Sequence, residues 1–121
     1  MSLETCYAAL GGDLEGVRGR MLNDERVVKF IGIFAEDPCY GNLRAALDDG
    51  NLPEAFRAAH TLKGISRDLG FTPLCEVSST LADVLRPDDA GVPAGPLEKV
   101  PELMDRMEDA YTATMDAIAI I

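Results

Sequence analysis

The chain predicts an all-α protein, an up-and-down antiparallel four-helix bundle with additional short N-terminal helices. Three observations carry that expectation. No segment alternates apolar and polar residues with β-branched enrichment, so strand signals are missing. Apolar residues recur instead at i, i+3, i+4 and i+7. Glycines and prolines cut these periodic stretches into closely connected pieces, and short connections favour antiparallel neighbours.

Element by element, Ser2 caps a short helix carrying Leu3, Tyr7 and Leu10, which Gly11-Gly12 halts. Asp13 caps a second, through about Arg20. Asn23 or Asp24 opens a third, whose Val27, Ile31 and Phe34 share one face. Asp37 caps a fourth, with Pro38 at its first position and Leu43, Ala46 and Leu47 as its stripe, ending at Asp49-Gly50. Pro53 begins a fifth, which Gly70 stops as its C′ residue. Thr72-Pro73 repeats the cap-then-proline pattern for a sixth, running until Pro87. Residues 87–96, PDDAGVPAGP, read as an irregular linker. The last helix carries Leu103, Met107, Ala110, Tyr111, Thr114 and Ile118, and Pro101 starts it or kinks an earlier turn.

With 121 residues and 47% of them hydrophobic, residues 1–121 are expected to form one domain that needs no staples. There are 21 acidic and 11 basic residues, a formal net charge of −10. That field repels nucleic acids and anionic membranes, and no two basic residues are adjacent to offset it. Cys6, Cys39 and Cys75 form no CxxC pair and, with one histidine, no metal set of usual spacing, so buried free thiols are expected. The N-terminus lacks signal-peptide regions and no apolar run nears the ~20 residues of a membrane span, so a cytoplasmic protein is expected.

The single histidine, His60, lies within AFRAAHTLKGISRDLGF, residues 55–71. On a wheel of about 100° per residue, Ala55, Ala58, Leu62, Ile65 and Leu69 gather opposite it, so His60 faces outward. Phe56, Arg57, Lys63, Gly64 and Arg67 share its face. Cations crowded about an imidazole disfavour its protonated form and leave a nucleophilic lone pair. The same cations would stabilise a dianion placed on the ring. Gly64, one turn on, costs about 1 kcal/mol against alanine in an exposed helix but leaves open space beside the ring. Phe56 on an outward face suits a docking patch. The same residues also fit an ordinary surface helix with no chemistry.

Ala59-His60-Thr61-Leu62-Lys63-Gly64, followed by Leu69-Gly70, resembles the signature of histidine-containing phosphotransfer (HPt) domains. DERVVKFIGIFAED and LRAALDDGNLPEAFRAAH also look like that family's preceding helices, so the resemblance covers about residues 10–86. It implies a phosphorelay module, one HPt-like bundle, whose His60 accepts a phosphoryl group from a receiver-domain phosphoaspartate, through Nε2, and passes it to another receiver. Lys63 would stabilise the phosphoryl charge and Gly64 would make room for it. Phe56, Arg57 and Arg67 would face the partner. The implied partners are response-regulator receiver domains and a hybrid histidine kinase, and the implied state is a monomer. Such a module has no catalytic machinery and no cofactor of its own, because Mg²⁺ comes from the receiver. Many members present a glutamine from the following helix, whereas this chain contains none; Ala82, or Ser78 and Ser79, would stand in that neighbourhood.

Two other readings fit the same residues. One is the phospho-acceptor (substrate) domain of a chemotaxis-type histidine kinase, whose ATP-binding domain would lie elsewhere, since no G-x-G-x-x-G loop occurs here. The other is a helical bundle that binds a receiver without carrying phosphate.

Overall fold

A computed structural model describes residues 2–119 and 121. Its helices are α1 Leu3–Leu10, α2 Leu14–Met21, α3 Asp24–Ala35, α4 Cys39–Asp48, α5 Leu52–Asp68, α6 Thr72–Leu85 and α7 Val100–Ile118, with a 3₁₀ turn at Leu97–Lys99. The first amides of a helix lack intrahelical acceptors, and here side chains supply them. Ser2 accepts from the Thr5 N–H, Asp13 from Gly16, Asn23 from Arg26 and Asn51 from Glu54. At α4 the cap position is held by Pro38, which offers no side-chain bond, so the helix starts one residue later than expected. Asp37, just before Pro38, accepts from the Cys39 N–H through Oδ1 at 2.8 Å. Two further expectations are corrected. The cap of α5 is Asn51, so that helix starts before Pro53. Thr72 is not a cap: it lies in the first turn of α6, where no side chain accepts an amide. Pro73 eases that deficit because it has no N–H to satisfy.

Helices α4 to α7 form the bundle, each antiparallel to the next, as cross-helix contacts show. Between α5 and α6, Lys63 meets Cys75 while Phe56, earlier in α5, meets Arg86, the residue just after α6. Between α6 and α7, Pro73 and Val77 share a groove with Ala110 and Arg106. Helix α7 closes onto α4 through Tyr40 and Tyr111, stacked at 4.0 Å, and through Arg44 and Glu108 at 3.8 Å. Leu43, Leu62, Phe71, Leu74, Leu81, Leu85 and Met107 are fully buried between them. Burying each such side chain contributes about 1.5–3 kcal/mol.

The N-terminal helices grip one end of this bundle. The Tyr7 hydroxyl donates to the Leu69 carbonyl at 2.7 Å, and the Asp13 N–H donates to the Gly70 carbonyl at 2.8 Å. The Arg20 guanidinium donates to the Arg67 and Asp68 carbonyls at 3.0–3.2 Å. These contacts satisfy carbonyls that the end of α5 leaves without intrahelical partners. Gly70 has φ +70°, and a Cβ there would lie 2.6 Å from the Asp13 oxygen, so both the turn and the close approach require glycine. Phe71 follows, packed edge-on to Phe34 at 5.1 Å and tilted to Tyr7 at 5.9 Å.

Residues 87–96 are irregular, as expected, yet locally ordered. Asp88 Oδ1 accepts from the Ala90 and Val92 amides, and Pro87 pairs with Pro93 as a bridge. Pro101 stands at the start of α7, not at a kink. No helix among the described residues is long and apolar enough to cross a membrane.

All three cysteines are free; Cys6 and Cys39 are buried, while Cys75 is half-buried. Cys39 Sγ donates to the Ala58 carbonyl at 3.1 Å. Burial first, then the nearby Asp37 charge, pushes this thiol from its ordinary 9.0 up to about 11. A group raised on folding stabilises fully below its unfolded value and loses that contribution as pH rises through the folded one. Stability to urea should therefore fall between pH 9 and 11, with a steepest slope of about 1.4 kcal/mol per pH unit from this thiol. Cys39→Ala should flatten that slope by about one proton.

Candidate functional site

Helix α5 presents His60 from mid-helix. Its buried side is formed by Ala55, Ala58, Ala59, Leu62 and Ser66, with Leu69 at the cap position. The small side chains let α4 and α6 approach closely. Ser66 is accommodated because its hydroxyl donates to the Leu62 carbonyl at 2.6 Å. The buried face is thus rotated slightly from the expected one: Ala59 and Ser66 are inside, and Ile65 is only half-buried. His60 is exposed, as its place opposite the core requires.

The imidazole lies nearly parallel to the Phe56 ring, with centroids 5.8 Å apart and planes 24° apart. Among the described residues no hydrogen bond or ion pair reaches either ring nitrogen, and the residue is exposed. Phe56 shares the outward face but is not freely exposed. It is half-buried, packed on the core edge, with the Arg86 guanidinium carbon 5.5 Å from its centroid.

The basic island is smaller than the wheel suggested. Arg57 pairs with Glu54 at 3.3 Å, and Arg67 with Asp68 at 3.5 Å. Arg67 also stands about 10 Å along the axis from His60, seven residues on. It lines a groove with Asp13, Arg20, Thr72, Cys75 and Glu76, away from the imidazole. Lys63, about 4.5 Å along the axis, is half-buried and makes no ion pair among the described residues. A Cβ added at Gly64 would meet nothing within 4 Å, so the surface beside the ring is open.

From α6, Cys75 Sγ donates to the Lys63 carbonyl at 3.7 Å, and Arg86, just after that helix, reaches Phe56. The stripe that joins these two contacts runs through Ser79 and Ala82, at i+4 and i+7 from Cys75. Ala82 is fully buried, and Ser78 turns inward, its hydroxyl 3.7 Å from Met107 Sδ. Ser79, half-buried, is the polar side chain left on the stripe at the level of His60. Sequence reasoning missed Arg86, and only its spacing from Cys75 along α6 could have flagged it.

Among the described residues no group of three or more His, Cys, Asp or Glu side chains is placed to hold a metal ion. The site therefore offers an exposed imidazole, Lys63 one turn on along the same helix, and open space at Gly64. Comparisons with curated proteins and with solved structures returned no match. A scan against family models matched the Hpt domain over residues 37–117, beginning just before α4 and taking in α7. The N-terminal helices α1 to α3 lie outside that match, unlike the expected span of about residues 10–86. With two-thirds of its length matched, and an exposed histidine within that stretch, the chain belongs to the Hpt domain family.

Proposed function

We propose that His60 is the residue on which this chain carries its phosphoryl group. Hpt domains are phosphocarrier modules of phosphorelays, exchanging phosphoryl groups with receiver domains of two-component systems. The observation that carries the assignment is the exposed imidazole with unpaired Lys63 and open Gly64 one turn away. In the forward step a ring-nitrogen lone pair attacks phosphorus of a receiver's phosphoaspartate. The P–O bond breaks, the aspartate carboxylate leaves with its electron pair, and an N–P bond forms on a ring that now bears positive charge. Attack by a second receiver's aspartate breaks the N–P bond and returns the pair to nitrogen. The Lys63 ammonium offsets the phosphoryl charge, a role that ion-paired Arg57 and distant Arg67 fill less well. A hybrid histidine kinase as donor, a monomeric carrier, and residues 1–121 acting as one domain complete this reading.

Incubation with a phosphorylated receiver should give an acid-labile, alkali-stable phosphate on the wild-type chain. His60→Ala should fold with unchanged helicity and take none. Equal labelling of that variant would end the assignment, and receiver binding without any transfer would favour a non-phosphorylated binding bundle.

A further inference from the structure

We propose that Phe56 and Arg86 are positioning residues that set the orientation of the His60 imidazole, an inference resting on the reading of His60 as phospho-acceptor. A reactive histidine is commonly oriented by a hydrogen bond to its second ring nitrogen. Among the described residues His60 has no such partner, so its ring must be steered by packing. The packing surface is Phe56, one turn earlier on the same face, nearly parallel at 5.8 Å. Phe56 is a suitable support because its own ring rests on the core edge.

A second helix completes the arrangement. The Arg86 guanidinium carbon sits 5.5 Å from the Phe56 centroid, within the range of a cation–π contact. Arg86 is itself held by Asp83, whose Oδ1 accepts from Nη2 at 3.2 Å. Asp83, Arg86, Phe56 and His60 thus form a chain of contacts from α6 to the reacting ring. Arg86 does not act on phosphorus in this scheme. It narrows the orientations of Phe56, and Phe56 narrows those of the imidazole, so that more encounters find the lone pair aimed outward.

The test is a double-mutant cycle with Phe56→Leu, which keeps apolar bulk, and Arg86→Met, which keeps the stem. The rate is read with a phosphorylated receiver and with phosphoramidate, a donor too small to use a docking surface. Arg86→Met should lower kcat roughly threefold, and Phe56→Leu roughly three- to tenfold, with both donors and with the receiver's KM unchanged. The double variant should lose no more than Phe56→Leu alone, because Arg86 acts through that ring. Phe56→Tyr and Arg86→Lys should restore most of the rate. In the unphosphorylated protein, the ring-proton resonances of His60 should move in both single variants.

A raised KM with unchanged kcat, normal rates with phosphoramidate, or additive losses would overturn the proposal and make the two residues docking contacts. Unmoved His60 resonances in Phe56→Leu would overturn it as well. Should wild type accept phosphoryl from neither donor, the phospho-acceptor reading fails by itself, and the resonances still decide whether the stack orients the ring.

Discussion

Gly64→Ala should make the protein more stable and a worse phosphoryl carrier. The new methyl meets nothing within 4 Å, so the folded chain accommodates it without rearrangement. Replacing a glycine inside a helix by alanine contributes about 0.5–1 kcal/mol, which should raise the melting temperature by roughly 2–6 °C. Transfer responds in the opposite sense, because the methyl occupies the side from which a receiver's aspartate must approach His60. A displacement of about 1 Å in a reacting pair can cost up to a hundredfold, so transfer should fall roughly ten- to a hundredfold. Gly32→Ala serves as the control. Its Cβ is equally unobstructed, on exposed α3 surface, so it should give the stability gain alone. Full transfer rates in Gly64→Ala would remove the clearance role assigned to Gly64. Calorimetry and single-turnover transfer measure the two effects.

Phe71→Ala should give the largest loss of stability among the single changes considered. The side chain is fully buried between Phe34 and Tyr7, where the α5–α6 turn meets α1 and α3. Truncating a buried phenylalanine removes its transfer free energy and leaves a cavity, together about 3–5 kcal/mol. For a domain this size that is a large part of the total, about 5–15 kcal/mol, and should lower the melting temperature by roughly 10–20 °C. Phe71→Leu, which conserves most of the volume, should cost under about 1.5 kcal/mol. Urea unfolding of the two variants provides the comparison. A loss under 1 kcal/mol in Phe71→Ala would mean that the N-terminal helices do not share one core with the bundle. Transfer per folded molecule should be unchanged, because Phe71 belongs to the turn after α5, away from His60.

The elements most legible in the sequence were those written by local chemistry. Ser2, Asp13 and Asn23 cap helices where expected, and Gly11 and Gly70 stop them in the left-handed conformation. The outward direction of His60 was legible too, since helical periodicity alone places it opposite the core. What escaped depends on contacts between helices. The wheel put Arg57 and Arg67 beside His60 but could not foresee that Glu54 and Asp68 hold them. It placed Phe56 outward, whereas the ring leans between the core edge and Arg86, thirty residues further along the chain. Thr72 has the residue type of a cap but stands one position inside α6. The order within residues 87–96 comes from one carboxylate, Asp88, bonding two amides, which proline and glycine content alone does not disclose.

The grip of Tyr7, Asp13 and Arg20 on the end of α5 bears on how exchange of backbone hydrogens is distributed along the helix that carries His60. Three donors from the first twenty residues occupy carbonyls at or beyond Arg67, so that end cannot unwind alone without abandoning them. Amides of the last turn of α5 should exchange with solvent deuterium on the timescale of global opening, instead of the fast local regime of a free helix end. A fragment of residues 37–117, the part that defines the family, would keep His60 and lose that protection. Residues outside the family boundary thereby set how long the helix that carries His60 stays whole.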